Sequence, residues 1–117
     1  MTQYLVAIHH PDDFVSANEP AETRRDISAL NVEMQKAGVI VFVGGLTPIN
    51  EAVSVRRKSG NELLVTDGPY LETKEHIGGF WVLDVKSRAE AVDWGRKAAI
   101  ACRAPVEVRA FGSPPRD

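Results

Sequence analysis

Three stretches of this chain carry apolar residues on both faces: Tyr4-Leu5-Val6-Ala7-Ile8, Val39-Ile40-Val41-Phe42-Val43 and Phe80-Trp81-Val82-Leu83-Asp84-Val85. A strand points its side chains alternately to two sides, so such runs need cover above and below. Only two segments have a helical apolar stripe that would supply it. In the first, Thr23, Ile27, Leu30, Met34 and Ala37 recur three and four residues apart, with Arg24, Arg25, Glu33 and Lys36 toward water. In the second, Ala91, Trp94, Gly95 and Ala98 share a face. Two helices cover one side of a sheet and leave the other bare. If about six large side chains line the bare side, each contributes ~1.5–3 kcal/mol when buried. That sum rivals the whole net stability of a small domain, roughly 5–15 kcal/mol. The expectation is a homodimer packed through the sheet face.

Local signals set the boundaries. Pro11 and the Asp12-Asp13 pair after His9-His10 favour a turn that ends the first strand. Asn18 to Pro20 reads as the opening of a helix, with a cap-type residue and an early proline, and Gly38 as its close. The second strand stops at Gly44-Gly45. Ala52 to Arg57 and Glu62 to Thr66, joined by Lys58-Ser59-Gly60-Asn61, predict a hairpin. Ser87-Arg88-Ala89-Glu90 is a capping box that starts the second helix. Pro105 precedes a last strand, Val106 to Phe111, and 112–117 reads as a loose polar tail. The order β-α-β, inserted hairpin, β-α-β is the split βαβ plan, an α+β ferredoxin-like fold. Residues 1–111 form one domain.

Composition excludes several partners. Net charge is −2 with both signs interspersed, which leaves no footprint for nucleic acid or an anionic membrane. The single cysteine, Cys102, fits a reducing compartment. With no membrane-spanning run and no basic-then-apolar start, the expected location is cytoplasmic.

The chemistry-bearing stretch runs from Val65 to Gly79. An apolar strand, Leu63 to Val65, meets Asp67-Gly68-Pro69, which cannot continue it, and a charged segment then leads through Gly78-Gly79 into the apolar run at Phe80. The reading is a rigid corner carrying carboxylates and a histidine between two buried strands. Asp67-Gly68-Pro69-Tyr70, Glu72-Thr73-Lys74-Glu75 and Gly78-Gly79 resemble the signature of the DGPF ("DGPFAETKE") proteins, related to the YciI-like (YCII) family. Gly44-Gly45-Leu46-Thr47-Pro48 and Val106-Glu107-Val108-Arg109 extend the resemblance over nearly the whole chain. Tyr70 stands where Phe is usual, and Ala110-Phe111 where Pro follows the Arg. The resemblance implies a dimeric α/β barrel related to cofactor-independent lyases and isomerases.

Each candidate residue has a functional and a plain reading. Asp67, at the mouth of the sheet, would serve as a general base; as a turn residue it would instead bond the amides after Pro69. His9 and His10 are adjacent on a strand end and point to opposite faces, so one of them, His9, is the candidate proton carrier. His76 reads as an exposed loop histidine. Arg109 faces away from the helices, among apolar strands, and needs a carboxylate: Asp84, Glu107, a second chain's, or an acidic substrate's. Tyr70 and Glu72, in the same corner as Asp67, join Arg109 as substrate-binding candidates. Cys102 reads as a small core residue. Gly44-Gly45 and Gly78-Gly79 mark bends or close backbone approach and lack phosphate-loop spacing. No metal-ligand spacing appears and no cofactor is expected. Three functions follow. The first is a proton-transfer enzyme, of lyase or isomerase type, acting on a small anionic or phenolic molecule. The others are a non-catalytic ligand-binding or regulatory module, and a structural dimer.

Overall fold

A computed structural model describes residues 1–112. Its strands are β1 (Thr2–Pro11), β2 (Ile40–Gly45), β3 (Val53–Arg57), β4 (Leu63–Asp67), β5 (Glu75–Val85) and β6 (Val106–Ala110); its α-helices are α1 (Ala21–Ala37) and α2 (Arg88–Cys102). Four strands form an antiparallel sheet in the order β2-β5-β1-β6, whereas β3 and β4 pair only with each other. The order agrees with an α+β, ferredoxin-like plan carrying an inserted hairpin. Among the described residues no helix is long and apolar enough to cross a membrane. The expected tail lies outside the described residues from 113 onward.

The core fills the space between sheet and helices. Tyr4, Val6 and Ile8 of β1 and Trp81, Leu83 and Val85 of β5 meet Leu30 and Met34 of α1 and Ala91 and Ala98 of α2. Trp81, buried almost completely, keeps its indole N–H satisfied by donating to Asn31 Oδ1 at 2.7 Å. Gly95 lets α2 approach β6: a Cβ there would sit 2.6 Å from Val108 Cγ2. Gly38 ends α1 in the left-handed region at φ 71°. Ser87 Oγ caps α2 by accepting from the Glu90 amide at 3.1 Å. Cys102 is buried in this core, and burial first, then the charge of Glu19, pushes its thiol up to about 11.

Among the described residues nothing covers the other side of the sheet, because the two helices lie on one face of strands that are apolar on both. Phe42 lies opposite Val82, Val82 opposite Leu5, and Leu5 opposite Arg109, so one row crosses all four strands. Phe42 remains 55% exposed, with its ring 5.8 Å from that of Phe80.

Three expectations need correction. Asn18 does not cap α1; it lies in a 3-10 turn, Ser16–Asn18, and Pro20 precedes the helix with no side-chain cap. The Arg24 guanidinium instead donates to the carbonyls of Ser16 and Ala17, both at 3.2 Å. β1 and β5 run past their apolar stretches, to Pro11 and from Glu75, because those ends pair with each other across the ladder. The Asp67 corner does not lie between buried strands: every residue of β4 is exposed, since no second layer among the described residues lies against the hairpin.

Candidate functional site

A break in the β1–β5 ladder builds the clearest cleft. Ile8 pairs with Gly79 but His9 pairs with Ile77, so Gly78 is left over as a bulge. Past it, His10 stands opposite His76. Opposed residues on neighbouring antiparallel strands send side chains to the same face, about 4.5–5.5 Å apart at Cβ. Gly78 also makes room for the ring it faces, since a Cβ there would lie 2.0 Å from His10 Cδ2. The His10 ring stacks on Phe14 at 3.7 Å between centroids and 6° between planes. The bulge and the missing side chain at 78, together with the Phe14 ring, therefore fix where this imidazole points.

The second imidazole is held by a carboxylate. His76 Nε2 makes a short contact with Asp12 Oδ1, and Asp12 is placed by its own amide, which donates to the Lys74 carbonyl at 2.9 Å. On the other side of the ring, Nδ1 lies 3.5 Å from Thr73 Oγ1, a hydroxyl that donates to the Glu75 carbonyl at 2.6 Å. His76 is thus a largely buried strand residue, not the exposed loop histidine expected; the extension of β5 to Glu75 is what encloses it.

His10, Asp12, Phe14 and His76 line an open cleft of about 60 Å³ bordered by Leu46, Pro48 and Ile49. Behind His10 and Phe14 an adjoining hollow of about 400 Å³ reaches Glu19, Asn31 and Trp81. Burial lowers the pKa of His10; Glu19 pulls it back up in part, and His9 adds a smaller lowering. The ring is therefore held neutral to lower pH than an ordinary histidine, with a lone pair available to take a proton. A neutral imidazole beside one anchored on a carboxylate is an arrangement suited to moving a proton on a small bound molecule. Among the described residues no three His, Cys, Asp or Glu side chains converge as a metal would require.

The residues singled out from sequence fall in two other places. Asp67, Tyr70 and Glu72 are exposed at the root of the hairpin. The turn there is held without the Asp67 carboxylate: the Gly68 amide donates to the Ala52 carbonyl at 2.6 Å, and Ser54 Oγ donates to the Gly68 carbonyl at 2.7 Å. Tyr70 lies under the Arg56 guanidinium, 4.7 Å from ring centroid to Cζ, and its carbonyl accepts from Arg56 Nη2 at 3.1 Å. His9 and Arg109 lie on the bare sheet face. His9 Nε2 is 4.0 Å from Glu107 Oε1 and has no hydrogen-bond partner among the described residues. Arg109 makes no ion pair with Asp84 or Glu107 among those residues. The two groups do not meet, and neither lines the cleft.

Sequence reasoning passed over His10, Asp12 and His76 as a set. Counting by twos from Val6 puts His10 on the helix side, and counting by twos from Trp81 puts His76 on the bare side. The bulge at Gly78 reverses the second count. A glycine pair inside an apolar strand was the available signal for it.

A family model described as the YCII-related domain matches residues 2–110. An uncharacterised protein of Rhizobium meliloti (strain 1021) is 35% identical over 96 residues, which cover 80% of this chain and 77% of that one. An ATP-dependent RNA helicase of Arabidopsis thaliana is 29% identical over 94 residues, 78% of this chain and only 8% of the helicase. The second likeness concerns a small piece of a much longer protein.

Proposed function

We propose that this chain, which belongs to the YCII-related family, transfers protons on a small, weakly acidic molecule bound where the cleft between β1, β5 and residues 46–49 opens into the hollow beside β2. The observation that carries this reading is His10: a partly buried ring whose pKa burial lowers, aimed by Gly78 and Phe14 and facing the His76–Asp12 pair. His10 takes the proton. His76, its Nε2 held by Asp12 and its Nδ1 beside Thr73 Oγ1, walls the cleft opposite His10 and orients the bound molecule. The apolar walls from Leu46, Pro48 and Ile49 suit a flat ring, and Asp12, the carboxylate among the described residues that line the cleft, is already engaged. Both features favour a phenol or an enol over a multiply charged anion.

The bare sheet face adds a second element: two copies pack through it. In that assembly His9, Glu107 and Arg109 lie in the seam, where Arg109 has a carboxylate or an anionic ligand to meet. Asp67, Tyr70 and Glu72 take part in a site only if the second copy covers the hairpin root.

A titration with 4-nitrophenol tests the reading, because its absorbance reports the phenolate. Saturable binding with a raised phenolate fraction is expected, reduced at least about tenfold in His10→Gln. Equal titrations for both proteins, or no saturable binding to either, would remove His10 from the site. Binding of enolisable ketones without exchange of solvent deuterium into them would assign the ligand-binding, non-catalytic alternative.

A further inference from the structure

The β3–β4 ribbon stands outside both layers of the fold. Val53, Val55, Leu63 and Val65 fall on one of its faces, with Val55 directly opposite Val65, and all four are more than half exposed. A lone pair of strands is marginally stable in water. Among the described residues its hydrogen bonds beyond the ladder and its tip turn gather at its root, where Gly68 meets Ala52 and Ser54 and Arg56 reaches the Tyr70 carbonyl. Nor does it fold back on its own sheet. A further layer would add about 10 Å to a molecule whose extents are 47 × 45 × 17 Å.

Area shows how much cover the ribbon needs. Full burial of an aliphatic side chain corresponds to roughly 60–120 Å² on the usual transfer scale, so four half-exposed ones offer on the order of 150–300 Å². A stable association buries about 800 Å² on each partner. The ribbon cannot form one alone and must extend a larger apolar contact. The same chain presents such a surface in the bare sheet face with Leu5, Phe42, Phe80 and Val82. Charge agrees with that choice. Arg57 shares the ribbon's apolar face and has no ion pair among the described residues. The bare sheet face carries Asp84, half-buried and likewise without an ion pair among those residues. An unpaired carboxylate bordered by apolar side chains is costly, and a guanidinium on an apolar ribbon offsets it.

We propose that the β3–β4 ribbon is an arm that lies against the bare sheet face of a second copy of this chain, with Arg57 meeting Asp84. This rests on the sheet-face pairing proposed above and adds a separate contact to it. Each subunit then grips the other twice, and the hairpin insertion becomes the element that sets partner choice.

Sedimentation velocity on the full chain tests the arm. Wild type is expected to be a dimer; the double variant Val55→Lys, Val65→Lys is expected to dissociate about 100-fold more readily, with its far-ultraviolet dichroism unchanged. Val82→Lys, on the sheet, reads the underlying seam. Single copies of wild type at micromolar concentration would overturn both arm and seam, and would leave the ribbon to a foreign partner. An arm variant that dimerises like wild type, while Val82→Lys falls apart, would overturn the arm alone. A charge exchange covers the case in which the double variant misfolds. Arg57→Glu should weaken the dimer about tenfold and Asp84→Arg in the same chain should restore it; no restoration would dismiss the contact.

Discussion

The β1–β5 ladder and the β3–β4 ladder are made of similar residues. Val6 faces Trp81 in the first, and Val55 faces Val65 in the second. Val6 and Trp81 are essentially inaccessible, at 0% and 1%, because α1 and α2 lie on that face; Val55 and Val65 are 57% and 63% exposed, because none of the described residues lies on theirs. Apolar alternation makes a strand in either place. Whether the strand becomes core or arm depends on a second layer. The comparison also separates rigid from adjustable parts. The cleft is hung on the covered ladder, where backbone pairing and packed rings leave His10 one position, while the candidate corner at Asp67 hangs on the uncovered one.

The sharpest way to break this contrast is to truncate equivalent positions. Trp81→Ala should cost about 3–5 kcal/mol in urea unfolding. Val55→Ala should stay within about 0.5 kcal/mol when measured on dilute, dissociated protein. Comparable losses would mean that the ribbon is packed on its own subunit after all.

Gly78→Ala comes next. Its methyl collides with the His10 ring, so a loss of about 1–3 kcal/mol is expected together with loss of the nitrophenol response. An unchanged nitrophenol titration would show that the bulge does not aim His10.

A third prediction concerns alkaline pH. The Cys102 thiol is raised from 9.0 to about 11 in the fold, so its contribution is complete below pH 9.0 and is lost as pH climbs through about 11. The effect should be at most about 2.7 kcal/mol, and Cys102→Ala should remove that part of the slope. The same alkaline slope in both proteins would show the thiol to be accessible to water.

The smallest effects on stability belong to the cleft itself. Asp12→Asn should change stability by less than about 1 kcal/mol, as for other half-exposed ion pairs, yet weaken the nitrophenol response by releasing His76. At acid pH the sign for His10 is opposite to that of the thiol. Its lowered pKa makes the neutral ring's contribution complete above the ordinary histidine value, and falling pH removes it. Glu19, His9, Asp12 and His76 are the ionisable groups around it, so the comparison of wild type with His10→Gln between pH 7 and 5 isolates this residue. A stability difference that does not change over that range would show the ring to be solvated.

Much of the architecture was legible because it rests on local rules. The stripe from Thr23 to Met34, the Gly38 stop, the Ser87 cap and the hairpin around Gly60 are each decided by neighbours within a few residues. The site was less legible. Asp67 and Tyr70 stand out in the sequence because the turn around them is conspicuous, but a turn signal says nothing about what packs beside it. Asp12 and His76 are 64 residues apart and meet only through strand pairing.

The residues by themselves determined where the strands and helices lie, that one sheet face faces the helices, and that the opposite face is apolar and uncovered. These follow from periodicity, which is counted along the chain. Tertiary structure decided which histidines share a cleft and which apolar hairpin stays outside the core. Sidedness along a ladder is a running count that one unpaired glycine reverses, and cover is a property of layers that no single segment contains.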